Sequence, residues 1–467
     1  LNNLEQLFIS FSNYAWGTHL LVLLLGGGVF FMLYSRFLPF RYLRHAIDVL
    51  RGKYDNPDDP GEISHFEALS SALAATVGMG NVGGVAVAIT MGGPGALFWM
   101  WVSAFLGMAT KFFTCTLAIM YRGYDTQGNL QGGPMYVIQE GLGKSWKPLA
   151  SFFCIAGLFG PLPVFQANQL TQVFRDVVLI PNGYNYGATT FAGGIEISDL
   201  ISGVVIALLV SAVIFGGIKR IARYASKLVP AMVILYVVSV LYIIISNATV
   251  IPEYLVLIVT DAFTAKSVLG GAVGQIIITG ARRAAFSNEA GIGTAPMAHG
   301  AAKTNEPIRE GLVAMLGPAI DTLIVCTMTA LAILITGVWQ NSDADGITLT
   351  VMAFEKGLPF GIGAYVLVLS VLIFSFTTLF TMSYYGAKCF SFLAGAQNQQ
   401  YFTYFYVLSI VFGSVISITA VISLVDGMYA MMAIPTMVSA LILAPKVRDA
   451  AKNYFERMEK EAAYVND

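Results

Sequence analysis

Residues Ser70–Trp101 read SSALAATVGMGNVGGVAVAITMGGPGALFWMW. The run is long and apolar enough to enter a bilayer, yet it resists forming one continuous helix. Gly78, Gly80, Gly83 and Gly84 fall within seven residues, each costing a helix roughly 1 kcal/mol relative to Ala. Thr76 and Asn81 add polar groups to the same stretch. The sequence therefore predicts a helix broken near the bilayer midplane. Unwound backbone persists in hydrocarbon only where protein or a watery cavity satisfies its N–H and C=O groups, so such a break is expected to line a ligand or ion site.

Composition agrees with a membrane chain. Of 467 residues, 56% are hydrophobic and 11% charged, against about 25% charged in soluble domains. The net charge of −1 argues against nucleic acid or another bulk polyanion as partner and makes the bilayer the main surroundings. Cys115, Cys154, Cys326 and Cys389 lie apart in apolar stretches and read as free buried thiols. No Lys or Arg precedes Arg36, so the first apolar run is expected as a retained span, not a secretory signal.

Crossing the hydrocarbon takes about 20 apolar residues. Eleven segments qualify: 17–38, 66–91, 95–121, 149–172, 199–217, 228–246, 262–285, 311–338, 361–387, 402–419 and 421–444. With the N-terminus outside, 23 of the 26 Lys and Arg residues fall on inner loops and inner helix ends, the bias expected of cytoplasmic loops. The expected protein is all-α and polytopic, in the plasma membrane, with its C-terminus cytoplasmic. Residues 122–147 and 286–309 read as inner loops suited to close packing or gating, 173–198 as an outer connection, and the C-terminal residues as a solvated helical tail.

A second segment, 262–285 (AFTAKSVLGGAVGQIIITGARRAA), carries Gly270, Gly271, Gly274 and Gly280 beside Gln275 and Thr279. The Gly80/Gly84 and Gly270/Gly274 pairs each fit close helix packing as well as a break. Their occurrence in spans two and seven favours two breaks. With residues 1–38 as an accessory helix, 39–246 and 247–446 become five-helix blocks, and 447–467 a cytoplasmic tail. Five is odd, so the second block enters from the opposite face, as an inverted repeat whose first helices are both broken. No potassium-filter TVGYG, HExxH or GxSxG tract occurs, which leaves a channel or an intramembrane enzyme without support.

Gly92–Trp101 (GGPGALFWMW) with the following VSAFLGMATKF, VGMGNVGG at 77–84, QGGPMY at 131–136 and FSNEAGIGTAPMAHGAAKTNEP at 286–307 together resemble the alanine/glycine:cation symporters, the sodium:alanine symporter family. The resemblance implies a LeuT-like fold and inward transport of alanine or glycine with sodium, or in some members protons. For such a zwitterion, free N–H groups starting the outer half-helix suit the carboxylate. These are assigned to Gly78, Met79 and Gly80, with the Thr76 hydroxyl nearby, and carbonyls around Gly270 and Gly271 are assigned to the ammonium.

Phe165 and Gln169, at i and i+4 in FQANQ, either hydrogen-bond and cover the substrate or tie helices together. Met79, Phe165, Val273 and Phe374 are expected to restrict the pocket to a small side chain. The resemblance places sodium between the carbonyls of Ala74, Val77 and Phe374 and the hydroxyls of Thr377 and Thr378. Back-bonding of those hydroxyls to their own helix is the alternative. Asp321 either carries protons, which would make a proton-coupled carrier of another small neutral amino acid, or pairs with a neighbour. Asp426 is expected near the outer surface. His65, Glu67, Lys111, Arg282, Arg283 and Glu289 read as inner-gate salt bridges or as solvated helix ends.

Overall fold

The computed structural model describes residues 2–180, 183, 190–191, 195–263, 272–340, 344, 346–415 and 419–466. In chain order its main elements begin with α1 (Glu5–Tyr34), α2 (His65–Thr76), α3 (Gly80–Gly92), α4 (Gly95–Met120), α5 (Lys144–Phe174), α6 (Ile197–Ile214) and α7 (Gly217–Ser246). They continue with α8 (Ala272–Asn288), α9 (Thr294–His299), α10 (Pro307–Thr336), α11 (Gly346–Gly357), α12 (Gly363–Ala394), α13 (Gln399–Val415), α14 (Thr419–Met431) and α15 (Ala433–Asn466).

Among the described residues, eight helices are long and apolar enough to cross a membrane, or nine with the bent pair α2/α3 taken as one span. The segments read at 262–285 and 402–419 correspond to α8 and α13. Each is a helix of 17 residues, short of the usual spanning length.

The first break forms where expected. Ser64 starts α2 through a capping box: its hydroxyl accepts from Glu67 N at 3.2 Å, and Glu67 Oε2 accepts from Ser64 N at 2.9 Å. That reciprocal pair satisfies two end donors, so Glu67 is a helix cap, not a gate salt bridge. Helix α2 ends at Thr76, Val77 is extended (φ −76°, ψ 99°), and α3 leaves at 56° to α2. A Cβ at Gly78 would stand 2.9 Å from Thr378 Oγ1, whereas one at Gly84 would meet nothing within 4 Å. Gly78 therefore serves a close approach. Gly84 faces open space, which sets aside the helix-packing reading of the Gly80/Gly84 pair.

A further break lies past α8, at Glu289–Gly293. Helix α8 runs without interruption through Gly274 and Gly280 to Asn288. Gly280 packs: a Cβ there would come 2.7 Å from Trp99 Cβ on α4. The chain leaves helical geometry only afterwards, with positive φ at Glu289 (56°), Gly291 (87°) and Gly293 (108°), before α9 resumes. Gly270 and Gly271 lie outside the described residues. The stretch read as an inner loop at 286–309 thus holds the break and a buried half-helix, Thr294–His299.

These two breaks meet at the centre. Helix α4 packs against α8, α9 and α10, and α12 packs against α2, α5 and α7. A Cβ on Gly80 would lie 3.6 Å from Phe286 Cδ1 and Ser287 Cα, so the breaks touch. The four cysteines are free and buried. The tail is not simply solvated. Helix α15 continues unbroken across residue 446, buries Val447, Ala451, Tyr454 and Phe455, and stacks Phe455 on Tyr42 at 3.6 Å between ring centroids.

Candidate functional site

A cavity of about 410 Å³ opens directly above the paired breaks, within the usual range for small-ligand sites. Gly78, Met79 and Gly80 form one wall, Phe165 and Gln169 another, and Thr76 and Thr378 lie at its base. Bends at Gly160–Pro163 within Lys144–Phe174 carry Phe165 and Gln169 to the cavity, consistent with proline redirecting a helix. Gln169 Nε2 lies 3.4 Å from both Asn168 Oδ1 and Gln172 Oε1, long contacts that leave its amide weakly engaged.

The N–H groups at the first break are not all free. Gly78 N–H donates to Asn81 Oδ1 at 2.8 Å, which removes Gly78 from the three donors assigned to a carboxylate. Among the described residues no acceptor meets the N–H of Met79 or Gly80, and these stand at the positive end of α3. Thr76 Oγ1 donates to its own helix, at 3.2 Å to Ala72 O and 3.4 Å to Leu73 O.

Asn81 also reaches across. Its Nδ2 donates to Asp321 Oδ1 at 2.7 Å and to Asp321 O at 3.1 Å. The other oxygen of Asp321 accepts from Ser287 Oγ at 2.8 Å and Thr322 Oγ1 at 2.7 Å. The fully buried Asp321 thereby ties the first break, the end of α8 and α10 into one network. Burial of a carboxylate demands such partners, and pairing with neighbours is the role visible here.

The second break offers the complementary end of a helix. Among the described residues no donor reaches the carbonyls of Phe286, Ser287 and Asn288, the last of α8, where partial negative charge collects. The end of α8 that carries them stands beside the first break, at Gly80. Val273 belongs to the first turn of α8, thirteen residues before Phe286 and so roughly 20 Å along the helix axis at 1.5 Å per residue. Its side chain lies outside the described residues.

Of the oxygens assigned to sodium, three converge. Thr378 Oγ1 lies 3.0 Å from Ala74 O and 2.9 Å from Phe374 O, joining the end of α2 to α12. Val77 is fully buried beside them in the sequence. Thr377 instead bonds its own helix, at 3.0 Å to Ile373 O and 2.9 Å to Phe374 O, with Met232 Sδ at 3.9 Å. The Phe374 ring packs on Tyr236 at 5.6 Å between centroids and lies in the core, away from the cavity.

Trp16 and Tyr429 escaped sequence reasoning, and they border the cavity together with Arg282, Arg283, Glu289 and Asp426. Arg282 lies 3.7 Å from Asp426 Oδ2 and 5.7 Å above the Trp16 ring, and with Arg283 it lines the cavity. Lys111 is buried within α4. Of the expected gate residues only His65 forms an ion pair at the opposite end, with Glu310. The available signal was FSNEAGIG itself, in which three polar side chains precede Gly291 and Gly293.

Comparison with known proteins now has a geometry to attach to. The model of the sodium:alanine symporter family matches residues 1–467. The chain is 37% identical to the sodium/alanine symporter AgcS of Methanococcus maripaludis, over 97% of each chain. It is 38% identical to an uncharacterized transporter of Haemophilus influenzae, over 98% of this chain and 97% of that one. With the probable sodium/glutamine symporter GlnT of Bacillus subtilis it shares 34%, over 97% of this chain and 91% of that one. Among solved structures, MhsT in complex with L-phenylalanine aligns with a TM-score of 0.57 at 13% identity, covering 84% of this chain and 98% of that one, a likeness of LeuT fold alone. A match along the whole chain, together with these relatives, places it: the protein belongs to the sodium:alanine symporter family.

Proposed function

We propose that this secondary transporter couples sodium entry to uptake of alanine, and of glycine, by alternating access. The observation that carries the reading is the meeting, around one cavity, of unpaired N–H groups at Met79 and Gly80 and the unpaired carbonyl of Phe286, with the Ala74–Phe374–Thr378 oxygen cluster joined to it through Thr378. The first suits a carboxylate, the second an ammonium and the third a small hard cation. Sodium is cargo here, carried with the amino acid. Met79 and Phe165 narrow the cavity toward a methyl group or a hydrogen, and Gln169 faces the substrate. A relative named for glutamine makes side-chain room the property that sets this chain apart.

The reading includes an accessory first helix, two five-helix blocks of opposite entry, and eleven crossings in the plasma membrane. The cavity opens to the outside and the C-terminus lies in the cytoplasm. Moving Arg282 and Arg283 to the cavity mouth leaves 21 of 26 basic residues on the inner side, so the charge asymmetry still supports this orientation. Proton coupling through Asp321 is the less supported alternative, because both its oxygens already hold neighbouring donors.

The test is labelled-alanine uptake into proteoliposomes with and without an inward sodium gradient. Gradient-driven accumulation is expected. Equal uptake under both conditions would reject sodium coupling, and accumulation driven only by a pH gradient would select the proton carrier.

A further inference from the structure

Glu289 opens the second break. Its φ of 56° is unusual for a residue with a side chain, a conformation that persists where the surroundings enforce it. The residue is buried, yet it borders the cavity. One carboxylate oxygen, Oε2, accepts from Thr294 Oγ1 at 2.5 Å. Among the described residues no cation pairs with it directly.

Acids and bases are unequal in number here. Lys111, from α4, is the cation whose field acts on Glu289, and the same ammonium also acts on Asp321. Two buried carboxyl groups therefore have one buried ammonium between them. An unpaired buried charge is strongly unfavourable.

A separate observation marks the same place as incomplete. The hydroxyl of the fully buried Tyr385, whose electrostatic neighbours include Glu289, has no hydrogen-bond partner, and the Tyr429 hydroxyl on the cavity wall is turned toward the Glu289 carboxyl. Beside them stand the open carbonyls of Phe286, Ser287 and Asn288. Acceptors and one carboxyl group thus gather on a single side of the cavity, facing the N–H groups of Met79 and Gly80.

We propose that Glu289 supplies the counter-charge for the α-ammonium group of the carried amino acid. The chain then selects ligands with a primary ammonium beside the carboxylate, and a 2-hydroxy acid of equal size is rejected because it leaves the Glu289 charge unpaired. This inference rests on the amino-acid transport reading given above.

The experiment compares wild type, Glu289→Gln and Glu289→Asp as full chains in proteoliposomes. It measures alanine KM, the sodium concentration for half-maximal uptake, and competition by lactate, which replaces the ammonium with a hydroxyl. Glu289→Gln is expected to raise the alanine KM at least ~30-fold, the scale for removing one partner of a buried charge pair. Its sodium requirement should stay unchanged, and its preference for alanine over lactate should shrink. Glu289→Asp should recover part of both.

Retained sodium response with an alanine KM within about twofold of wild type would overturn the assignment. So would an unchanged KM accompanied by loss of a response to pH gradients, which would make Glu289 a proton site. If the Gln variant fails to fold, a density map of the wild type with alanine decides. Alanine nitrogen within 4 Å of a Glu289 oxygen supports the proposal, and a nitrogen beyond ~6 Å, outside ion-pair reach, overturns it. Wild type that accumulates no alanine would instead sink the transport reading itself.

Discussion

The two ends of the bundle are fastened very differently. At the cavity mouth, the Asp426 carboxylate accepts from Ser12 Oγ at 2.7 Å and sits 3.7 Å from Arg282, while Trp16 Nε1 donates to Asp426 O at 3.2 Å. At the opposite end Arg122 donates to the carbonyls of Pro60, Gly300, Ala302 and Thr304, binding the approach to α2 to the segment after α9. Burial disfavours the charge of this guanidinium and lowers its pKa, and four carbonyls compensate.

Deeper at the same end, Glu310 of α10 holds His65, the first residue of α2, and His299, the last of α9. One buried carboxylate therefore clamps the lower halves of both broken helices. Asn305 Nδ2 donates to Asp59 Oδ1 at 2.7 Å, and Arg457 of α15 pairs with Glu306 at 2.8 Å. The contrast teaches which end must give way. The molecule is open at the Trp16 end and latched at the Arg122 end, so reversing access requires breaking the dense set and strengthening the sparse one.

The largest expected effect comes from removing the clamp. Glu310→Ala leaves two buried imidazoles facing an empty position, and loss of one member of a buried ion pair costs about 3–5 kcal/mol. Melting in detergent should fall by several degrees and uptake should drop more than ~10-fold; an unchanged melting temperature would mean the latch does not hold this state. A middle-sized effect is expected at the junction between the ends. Thr378→Ala removes the hydroxyl joining Ala74 O and Phe374 O, so the sodium concentration for half-maximal uptake should rise ~10-fold, about the worth of one hydrogen bond. Alanine affinity at saturating sodium should hold, and a shift in alanine affinity alone would move the ion elsewhere. The smallest belongs to the mouth. Asp426→Asn weakens a partly exposed pair worth at most about 1 kcal/mol, so uptake should change less than ~5-fold. A loss as deep as that of Glu310→Ala would erase the asymmetry.

How much of this was legible depended on what each residue type can signal alone. VGMGNVGG announces a break because closely spaced glycines weaken a helix whatever its surroundings, and the chain does turn there. The same logic did not single out the break at Glu289–Gly293. GGAVG at 270–274 holds three glycines and EAGIG at 289–293 two, so composition alone favours the former. What separates them is tertiary: Ser287, Asn288 and Glu289 find partners in Asp321, Thr322 and Thr294, and Gly280 presses against α4.

Arg282 and Arg283 show a related limit. Two adjacent arginines at the end of an apolar run resemble a cytoplasmic helix end, and only the fold brings Trp16 and Asp426 over them. Pairwise meetings across hundreds of residues leave no trace in local pattern. Ala74 and Thr378, 304 positions apart, were joined through family resemblance, because spacing could not join them.

The link from Asn81 to the Gly78 amide has a consequence for turnover. Because a side chain of the protein keeps that turn unwound, the opening is preorganised, and an arriving ligand need not melt a helix to enter. One amino acid can then replace another at the open cavity while the scaffold stays as it is, so binding and release on that side should be fast beside the reversal of access.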